Sequence, residues 1–308
     1  MTISRVLTVD GGGVRGIVPT IVLQRLSLEP GLEGWLDRVD FVAGTSTGAL
    51  LVLALAAGID VEEIRRLYEQ RASHVFADSL FDDIKDVGKI FGADYDVRNL
   101  EREVHRVFDD RTLASLEKRV LIAAFDLDNE AATDRTWKPK LFHNFPGDDS
   151  DGEALAYRVG TASAAAPTYF ATYDGYNDGG VFATNPSMCA LAQTQDPRIP
   201  PAERADLGDL RLLSLGTGRS LHHIEGKNHD WGYVQWIRPL LDLMLDGVNG
   251  IAHYQCSQLL GDRYERVAPT LPPDRQIGMD DVGEIPFLVK FASELELTTT
   301  ADWLRTHW

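Results

Sequence analysis

Short apolar runs that end in glycine-rich turns recur along the chain, and segments with helical spacing follow them. Residues 3–9 are apolar and β-branched and precede the glycine-rich residues 11–16, and residues 41–43 precede a second glycine-rich turn at residues 44–48. Apolar runs of this length between turn residues are typical of buried strands. The N-terminal part therefore predicts two strands, each followed by a tight turn and a helix.

The same pattern predicts the remaining elements of an α/β fold. Further strands are predicted over residues 119–125, 136–144, 168–173 and 210–215, and helices over residues 17–28, 49–57, 60–73, 97–108, 153–165, 185–192, 231–260 and 285–297. Alternation of this kind predicts a mainly parallel central sheet flanked by helices. Because no repeat or linker interrupts the pattern, we interpret residues 1–308 as a single domain. Helix 231–260 is interpreted as packed in its core, and the alternatives are a cover over a substrate pocket, a membrane contact or an oligomer interface.

Composition narrows the classes of function. The 308-residue chain has a formal net charge of −17 and no run rich in lysine and arginine, which argues against nucleic-acid binding and against a basic patch for anionic lipid. No apolar run reaches the ~18 residues of a membrane-spanning helix. The N-terminus lacks the apolar core of a signal peptide, so we expect a cytoplasmic protein in which Cys189 and Cys256 are reduced.

Metal and cofactor sites are not predicted. No cluster of cysteine and histidine has the spacing of a zinc site. The acidic residues 147–152 lack the terminal glutamate of a calcium loop and are interpreted as a solvated turn. We therefore expect chemistry that depends on side chains and backbone groups alone.

The turn at Gly44-Thr45-Ser46-Thr47-Gly48 reproduces the G-x-S-x-G pattern between a strand and a helix. In such a turn the central residue has a strained backbone, and the flanking glycines leave room for the crossing chain. The serine then stands at the N-terminus of a helix, where developing negative charge is favoured. Ser46 is the predicted nucleophile.

A serine nucleophile needs an oxyanion hole, and the preceding glycine loop is the candidate. The loop of Gly11, Gly12 and Gly13 also opens a helix, one crossover away from Ser46. Its backbone amides can approach an oxyanion closely. Arg15 adds a positive charge suited to an oxyanion or a lipid phosphate, although a solvated residue at a helix start is the alternative interpretation.

The residues alone leave the identity of the base open. Five histidines follow at positions that a Ser-Asp-His order would allow, namely His222, His223, His229, His253 and His307. A carboxylate that hydrogen-bonds the serine directly is the other arrangement. Asp178, which precedes Gly179 and Gly180, is one candidate, and Asp174, which precedes Gly175, is the other. Asp-Gly dipeptides are commonly plain turns.

Five segments together give the chain a resemblance to the patatin-like phospholipases: residues 10–16, 44–48, 161–170, 178–186 and 213–218. The resemblance spans nearly the whole chain in the right order and implies a three-layer sandwich with a mainly parallel sheet. It implies a Ser-Asp dyad without histidine, formed by Ser46 and Asp178. The amides of Gly11, Gly12 and Gly13 would form the oxyanion hole, and no cofactor or metal would be needed.

The resemblance also implies a substrate and suggests a form of regulation. The family hydrolyses acyl esters of phospholipids and related lipids, so we expect a lipid substrate and transient contact with a membrane surface. Similar compact enzymes include bacterial effectors that degrade membrane phospholipid when a nucleotide signal switches them on. A small-molecule activator and a homo-oligomer are therefore further hypotheses.

The sequence also allows functions other than phospholipid hydrolysis. A non-phospholipid esterase or thioesterase would use the same dyad, and a lipid-binding protein without turnover would keep the same site. Residues 11–16 match the G-x-G-x-x-G pattern of dinucleotide-binding proteins, but the second strand ends at Ser46 instead of an acidic residue. A sugar-kinase-like ATPase would use residues 10–13, 178–180 and 216–218 as phosphate loops.

Overall fold

A mixed β-sheet forms the middle layer of the protein in the computed structural model, which describes residues 4–76, 93–201, 204–221, 223–275 and 277–308. Its strands are β1 (Arg5–Val9), β2 (Phe41–Thr45), β3 (Arg119–Asp126), β4 (Lys138–His143), β5 (Tyr176–Asp178), β6 (Arg211–Leu215) and β7 (Tyr264–Val267). Their order is β4-β3-β2-β1-β6-β7, and β5 pairs with β3. Since only β4 and β5 run antiparallel to their neighbour among the described strands, the predicted mainly parallel sheet is confirmed.

Helices cover both faces of the sheet. They are α1 (Ile17–Ser27), α2 (Thr47–Ala56), α3 (Val61–Val75), α4 (Val97–Phe108), α5 (Ala156–Ala164), α6 (Gly180–Ala183), α7 (Ser187–Gln193), α8 (Tyr233–Leu260), α9 (Ile285–Ser293) and α10 (Thr298–His307). Most predicted elements recur within a few residues. The strand β7 and the helix α10 were not predicted, and the predicted helix over residues 285–297 ends at Ser293.

Alternating side chains of the inner strands pack into two separate hydrophobic cores, one on each face of the sheet. Leu7 of β1 and Val42 of β2 pack against α1, α2 and α5 on one face. Val6 and Phe41, their neighbours in sequence, pack against α7 and α8 on the other face. Successive side chains of a strand point to opposite faces, so these strands are buried on both sides and read as continuous apolar runs. The α/β three-layer arrangement follows.

The prediction of a strand over residues 168–173 is wrong. A turn at Asp174 and Gly175 follows these residues, and the observed strand, β5, begins after it. Tyr173 and Tyr176 exchange both backbone hydrogen bonds, with N–O distances of 3.0 and 2.9 Å. Between them Asp174 and Gly175 have φ angles of 49° and 81°. Two central residues with positive φ are typical of a type I′ hairpin turn. Tyr176 therefore starts β5, which pairs with β3.

Helix α8 is only partly in the core, so the expectation of plain core packing is wrong for one of its faces. Ala252, Cys256 and Leu260 are buried. Among the side chains of α8 that the structure describes, six apolar ones are about half exposed: Leu240, Leu243, Met244, Ile251, Tyr254 and Leu259. The helix packs mainly against α6, α7 and β7, and these neighbours leave the six side chains partly exposed. Within the described ranges, no helix is both long and apolar enough to cross a membrane.

A buried ion pair connects the carboxyl end of β1 with β7. The side chains of Asp10 and Arg266, which form it, are 1% and 7% exposed. Asn249 of α8 donates to Asp10 at 3.1 Å and accepts from Arg266 at 2.8 Å. Because both charged groups are held by these partners, the residue directly before the glycine loop is fixed in place.

We expect Arg266→Leu to lower the free energy of unfolding by about 3–5 kcal/mol, because it leaves the Asp10 carboxylate buried without its cation. Urea unfolding followed by circular dichroism measures this loss. Arg135→Leu is the control, since it breaks an ion pair with Asp128 whose side chains are 67% and 40% exposed. That exposed pair contributes about 1 kcal/mol or less. Equal losses of unfolding free energy in the two variants would contradict a stabilising role for the buried Asp10–Arg266 ion pair.

Candidate active site

Ser46 occupies a strained turn between β2 and α2. Its φ and ψ angles are 56° and −125°, a conformation that non-glycine residues rarely adopt. A methyl group at Gly44 would collide with the Gly48 carbonyl oxygen, and one at Gly48 would collide with the backbone of Val9. The close approach of β1, β2 and α2 therefore requires glycine at both positions, as the sequence predicted.

A buried serine on α5 holds the backbone of this turn. The Ser46 N–H donates to Ser163 Oγ at 2.9 Å, and Ser163 Oγ donates to the Ala123 carbonyl at 2.6 Å. The Ser163 side chain is completely buried. This residue lies within segment 161–170 but was not predicted to have a role. The available signal was a serine among the small residues 162–166 of the sequence.

Strand register brings Asp178 next to Ser46. On one side of β3, Ala123 pairs with Thr45, the last residue of β2. The next residue of β3, Ala124, pairs with Asp178 of β5. Because β4 occupies the other edge of β3 over the same residues, β5 continues in the place that β2 leaves at its turn. Ser46 and Asp178 are therefore neighbours at this junction.

Asp178 is a buried carboxylate with few partners. It is 6% exposed, and its Oδ1 accepts a hydrogen bond from the Gly180 N–H at 2.7 Å. Burial raises the pKa of Asp178 to about 6, while hydrogen bonds from the Ser46 side chain and the Gly180 N–H oppose the rise. A methyl group at Gly179 would collide with the Ala123 carbonyl. The Asp-Gly-Gly sequence thus allows the strand end to approach β3 closely.

The competing candidates for the base lie elsewhere. Asp174 is in the type I′ turn and forms an ion pair with Arg158 at 3.0 Å. His253 interacts with Tyr264. The three other described candidate histidines contact Glu225, Trp231 and Trp303, and within the described chain none of them has a hydrogen bond to Ser46: His223, His229 and His307. Position 222 lies outside the described residues. Among the described residues no histidine contributes to the environment that sets the pKa of Asp178.

The glycine loop approaches Ser46 but does not offer all three amides. A methyl group at Gly11 would lie 3.3 Å from the Ser46 Cβ, so the loop is adjacent to the serine. The Gly11 N–H donates to the Thr184 carbonyl at 2.9 Å and is therefore already engaged. Within the described chain, no hydrogen bond from the Gly12 or Gly13 N–H is found. These two amides remain as candidate oxyanion donors.

The start of the following helix supports the same loop. Arg15 Nε donates to the Gly12 carbonyl at 3.3 Å, so this predicted anion-binding residue also holds the loop. The Val14 N–H donates to the Met279 carbonyl at 2.8 Å. A methyl group at Gly13, where φ is 57°, would collide with that carbonyl. Glycine is therefore required where the loop passes residue 279.

An apolar cavity of about 330 Å³ begins at Ser46 and runs between α2, α3 and α4. Its apolar walls include Leu50, Leu67, Val104 and Phe170. The cavity can hold a hydrocarbon chain whose polar end lies at the serine. In the part of the chain that the structure describes, no group of three histidine, cysteine, aspartate or glutamate side chains is placed to hold a metal ion.

The chain is similar in sequence to one family model and to several known proteins. The model of a family described as patatin-like phospholipase matches residues 7–191. CotR of Bacillus subtilis is 29% identical over 332 residues, covering 99% of this chain and 98% of its own. A cGAMP-activated phospholipase of Pseudomonas aeruginosa is 28% identical over 277 residues, covering 88% and 79%. Patatin-like protein 2 of Oryza sativa is 30% identical over 284 residues, covering 77% and 68%.

Proposed function

Because the chain belongs to the patatin-like phospholipase family, we propose that it is a phospholipase A-type lipid acyl hydrolase with a Ser46-Asp178 dyad. The observation that carries the proposal is the junction of β2, β3 and β5. There a serine with a strained backbone lies beside a buried carboxylate whose pKa is raised to about 6. A base with a pKa near this value is ionised at neutral pH and still able to accept a proton.

The mechanism uses one covalent intermediate. Ser46 Oγ attacks the ester carbonyl while Asp178 accepts its proton, and the oxyanion forms opposite the Gly12 and Gly13 amides. The tetrahedral intermediate collapses, and Asp178 returns the proton to the departing lysophospholipid alcohol. Asp178 then takes a proton from water, whose oxygen attacks the acyl-serine. The second tetrahedral intermediate collapses, Asp178 returns this proton to Ser46 Oγ, and the fatty acid is released.

The cavity beside Ser46 supports a lipid substrate. Its walls are mainly apolar, so an acyl chain can replace water there. Of the charged side chains in the lining, Glu103 is paired with Arg71 and Arg106. A cavity of about 330 Å³ favours a long acyl chain over a short one, although an esterase or thioesterase for other long-chain acyl esters would use the same cavity. Membership of the family also argues against the dinucleotide-binding and kinase-like alternatives, because both assign the glycine loop to phosphate binding.

We expect Ser46→Ala and Asp178→Asn each to lower kcat/KM for phosphatidylcholine in mixed micelles by at least about 10³-fold, because each removes one half of the dyad. Release of free fatty acid measures the rate. Asp174→Asn is the matched control for the carboxylate. A second control replaces the five candidate histidines with glutamine. We expect both controls to retain activity within a few-fold. If the histidine variant loses turnover while Asp178→Asn keeps it, the dyad is refuted.

The pH dependence follows from the direction of the Asp178 shift. The pKa is raised to about 6, so the carboxylate becomes protonated below that pH and can no longer accept the Ser46 proton. We expect kcat/KM for an uncharged ester to fall about tenfold per pH unit below pH 6. A profile that stays flat down to the ordinary aspartate range near pH 4 would contradict Asp178 as the base.

Regulation by cGAMP is a finer part of the proposal. It is supported by the similarity to the phospholipase of Pseudomonas aeruginosa that is named for this activation. We expect cGAMP to increase fatty-acid release from phosphatidylcholine vesicles by roughly 5- to 150-fold, the usual size of an allosteric coupling. Ser46→Ala with cGAMP controls for contaminating lipases. Unchanged turnover from micromolar to millimolar cGAMP would reject this regulation and leave the dyad unaffected.

A further inference from the structure

The Gly216-Thr217-Gly218 segment after β6 lies beside the glycine loop, although the proposed mechanism gives it no task. Strands β1 and β6 are parallel, and Val9 pairs with Leu215 at their ends. The Asp10 N–H continues this pairing with a hydrogen bond of 2.9 Å to the Leu215 carbonyl. The two chains therefore leave the sheet side by side.

The Thr217 hydroxyl contacts the loop at one atom. Thr217 Oγ1 donates to the Gly11 carbonyl at 2.7 Å, and the side chain is 4% exposed. A methyl group at Gly12 would collide with this hydroxyl. Since the Gly11 N–H is held by the Thr184 carbonyl at 2.9 Å, both polar backbone groups of Gly11 have a fixed partner.

Peptide geometry then sets the direction of the Gly12 amide. The peptide that joins Gly11 and Gly12 is planar and trans, so its C=O and N–H point in opposite directions. In the sheet β1 lies between β2 and β6. The Gly11 carbonyl points toward Thr217 on the β6 side. The Gly12 N–H therefore points toward the β2 side, where Ser46 follows the strand.

We propose that Thr217 is a positioning residue, whose hydroxyl orients the Gly11–Gly12 peptide so that the Gly12 N–H faces the oxyanion formed at Ser46. This inference rests on the proposed acyl hydrolysis. Among the described residues Thr217 has no hydrogen bond to Ser46 or Asp178, and its hydroxyl acts through the Gly11–Gly12 peptide. Preorganised donors are effective because they need no reorientation when charge develops.

The experiment compares Thr217→Val with Thr217→Ser, using a p-nitrophenyl ester and purified full-length protein. Valine keeps the shape of threonine but cannot hold the carbonyl, so kcat falls roughly ten- to hundredfold while KM stays within about threefold. Serine keeps the hydroxyl and retains kcat within about threefold of wild type. Thr194→Val is the matched control, because Thr194 is also buried and donates to the Leu191 carbonyl at 2.7 Å.

The pattern of rates separates a positioning role from a structural one. Both valine variants lose a buried hydrogen bond and some stability, but only Thr217→Val loses kcat. If Thr217→Val folds and has the kcat of wild type, or if Thr194→Val loses as much, the inference is overturned. If Thr217→Val does not fold, Thr217→Ser decides, since a hundredfold loss of kcat with the hydroxyl present also overturns it.

Failure of the underlying proposal gives a different result. A wild-type protein without ester turnover both with and without cGAMP, or with turnover unchanged in Ser46→Ala, removes the acyl hydrolysis and the role of Thr217 together. Turnover that depends on Ser46 but is insensitive to Thr217→Val removes the positioning role alone.

Discussion

The strained backbone of Ser46 is the constraint on which the rest of the site depends. A non-glycine residue with φ of 56° and ψ of −125° costs of order 1–3 kcal/mol and persists only where its surroundings hold it. Here β2 fixes the chain before the serine and α2 fixes it after. The Ser163 hydroxyl oxygen accepts a hydrogen bond from the Ser46 N–H at 2.9 Å. The turn places the Ser46 side chain at the end of β2, next to β5.

Two buried aspartates near the ends of the strands differ in what surrounds them. Asp10 has a cation, Arg266, and an amide, Asn249, so its charge has partners inside the protein. Asp178 receives hydrogen bonds from the Gly180 N–H and the Ser46 side chain, and no cation among the described residues contributes to its pKa. Burial raises the pKa of Asp10 as well, but Arg266 and Asn249 oppose the rise, and this pairing suits a structural role. The arrangement around Asp178 keeps a carboxylate close to its protonation point, which suits proton transfer.

Local pattern was sufficient for the elements that are built from neighbouring residues. The strand, turn and helix around Ser46 and the glycine loop are encoded within short stretches, and both could be predicted from glycine spacing and apolar runs. Contacts between distant residues could not be predicted in this way. Ser163 reaches Ser46 across 117 positions, and Thr217 reaches Gly11 across 206. Asp178 and Asp174 stayed equivalent on spacing alone because the strand register that separates them is non-local.

The proposed base also ties catalysis to stability. Since burial raises the pKa of Asp178 to about 6, the folded protein binds this proton more tightly than the unfolded chain, where an aspartate has a pKa near 3.9. The stability that the site contributes is fully present below the unfolded value and is lost as the pH rises through about 6. At neutral pH, where Asp178 must be ionised to accept a proton, its charge therefore opposes folding. The surrounding α/β sandwich has to supply the stability that the charged form removes.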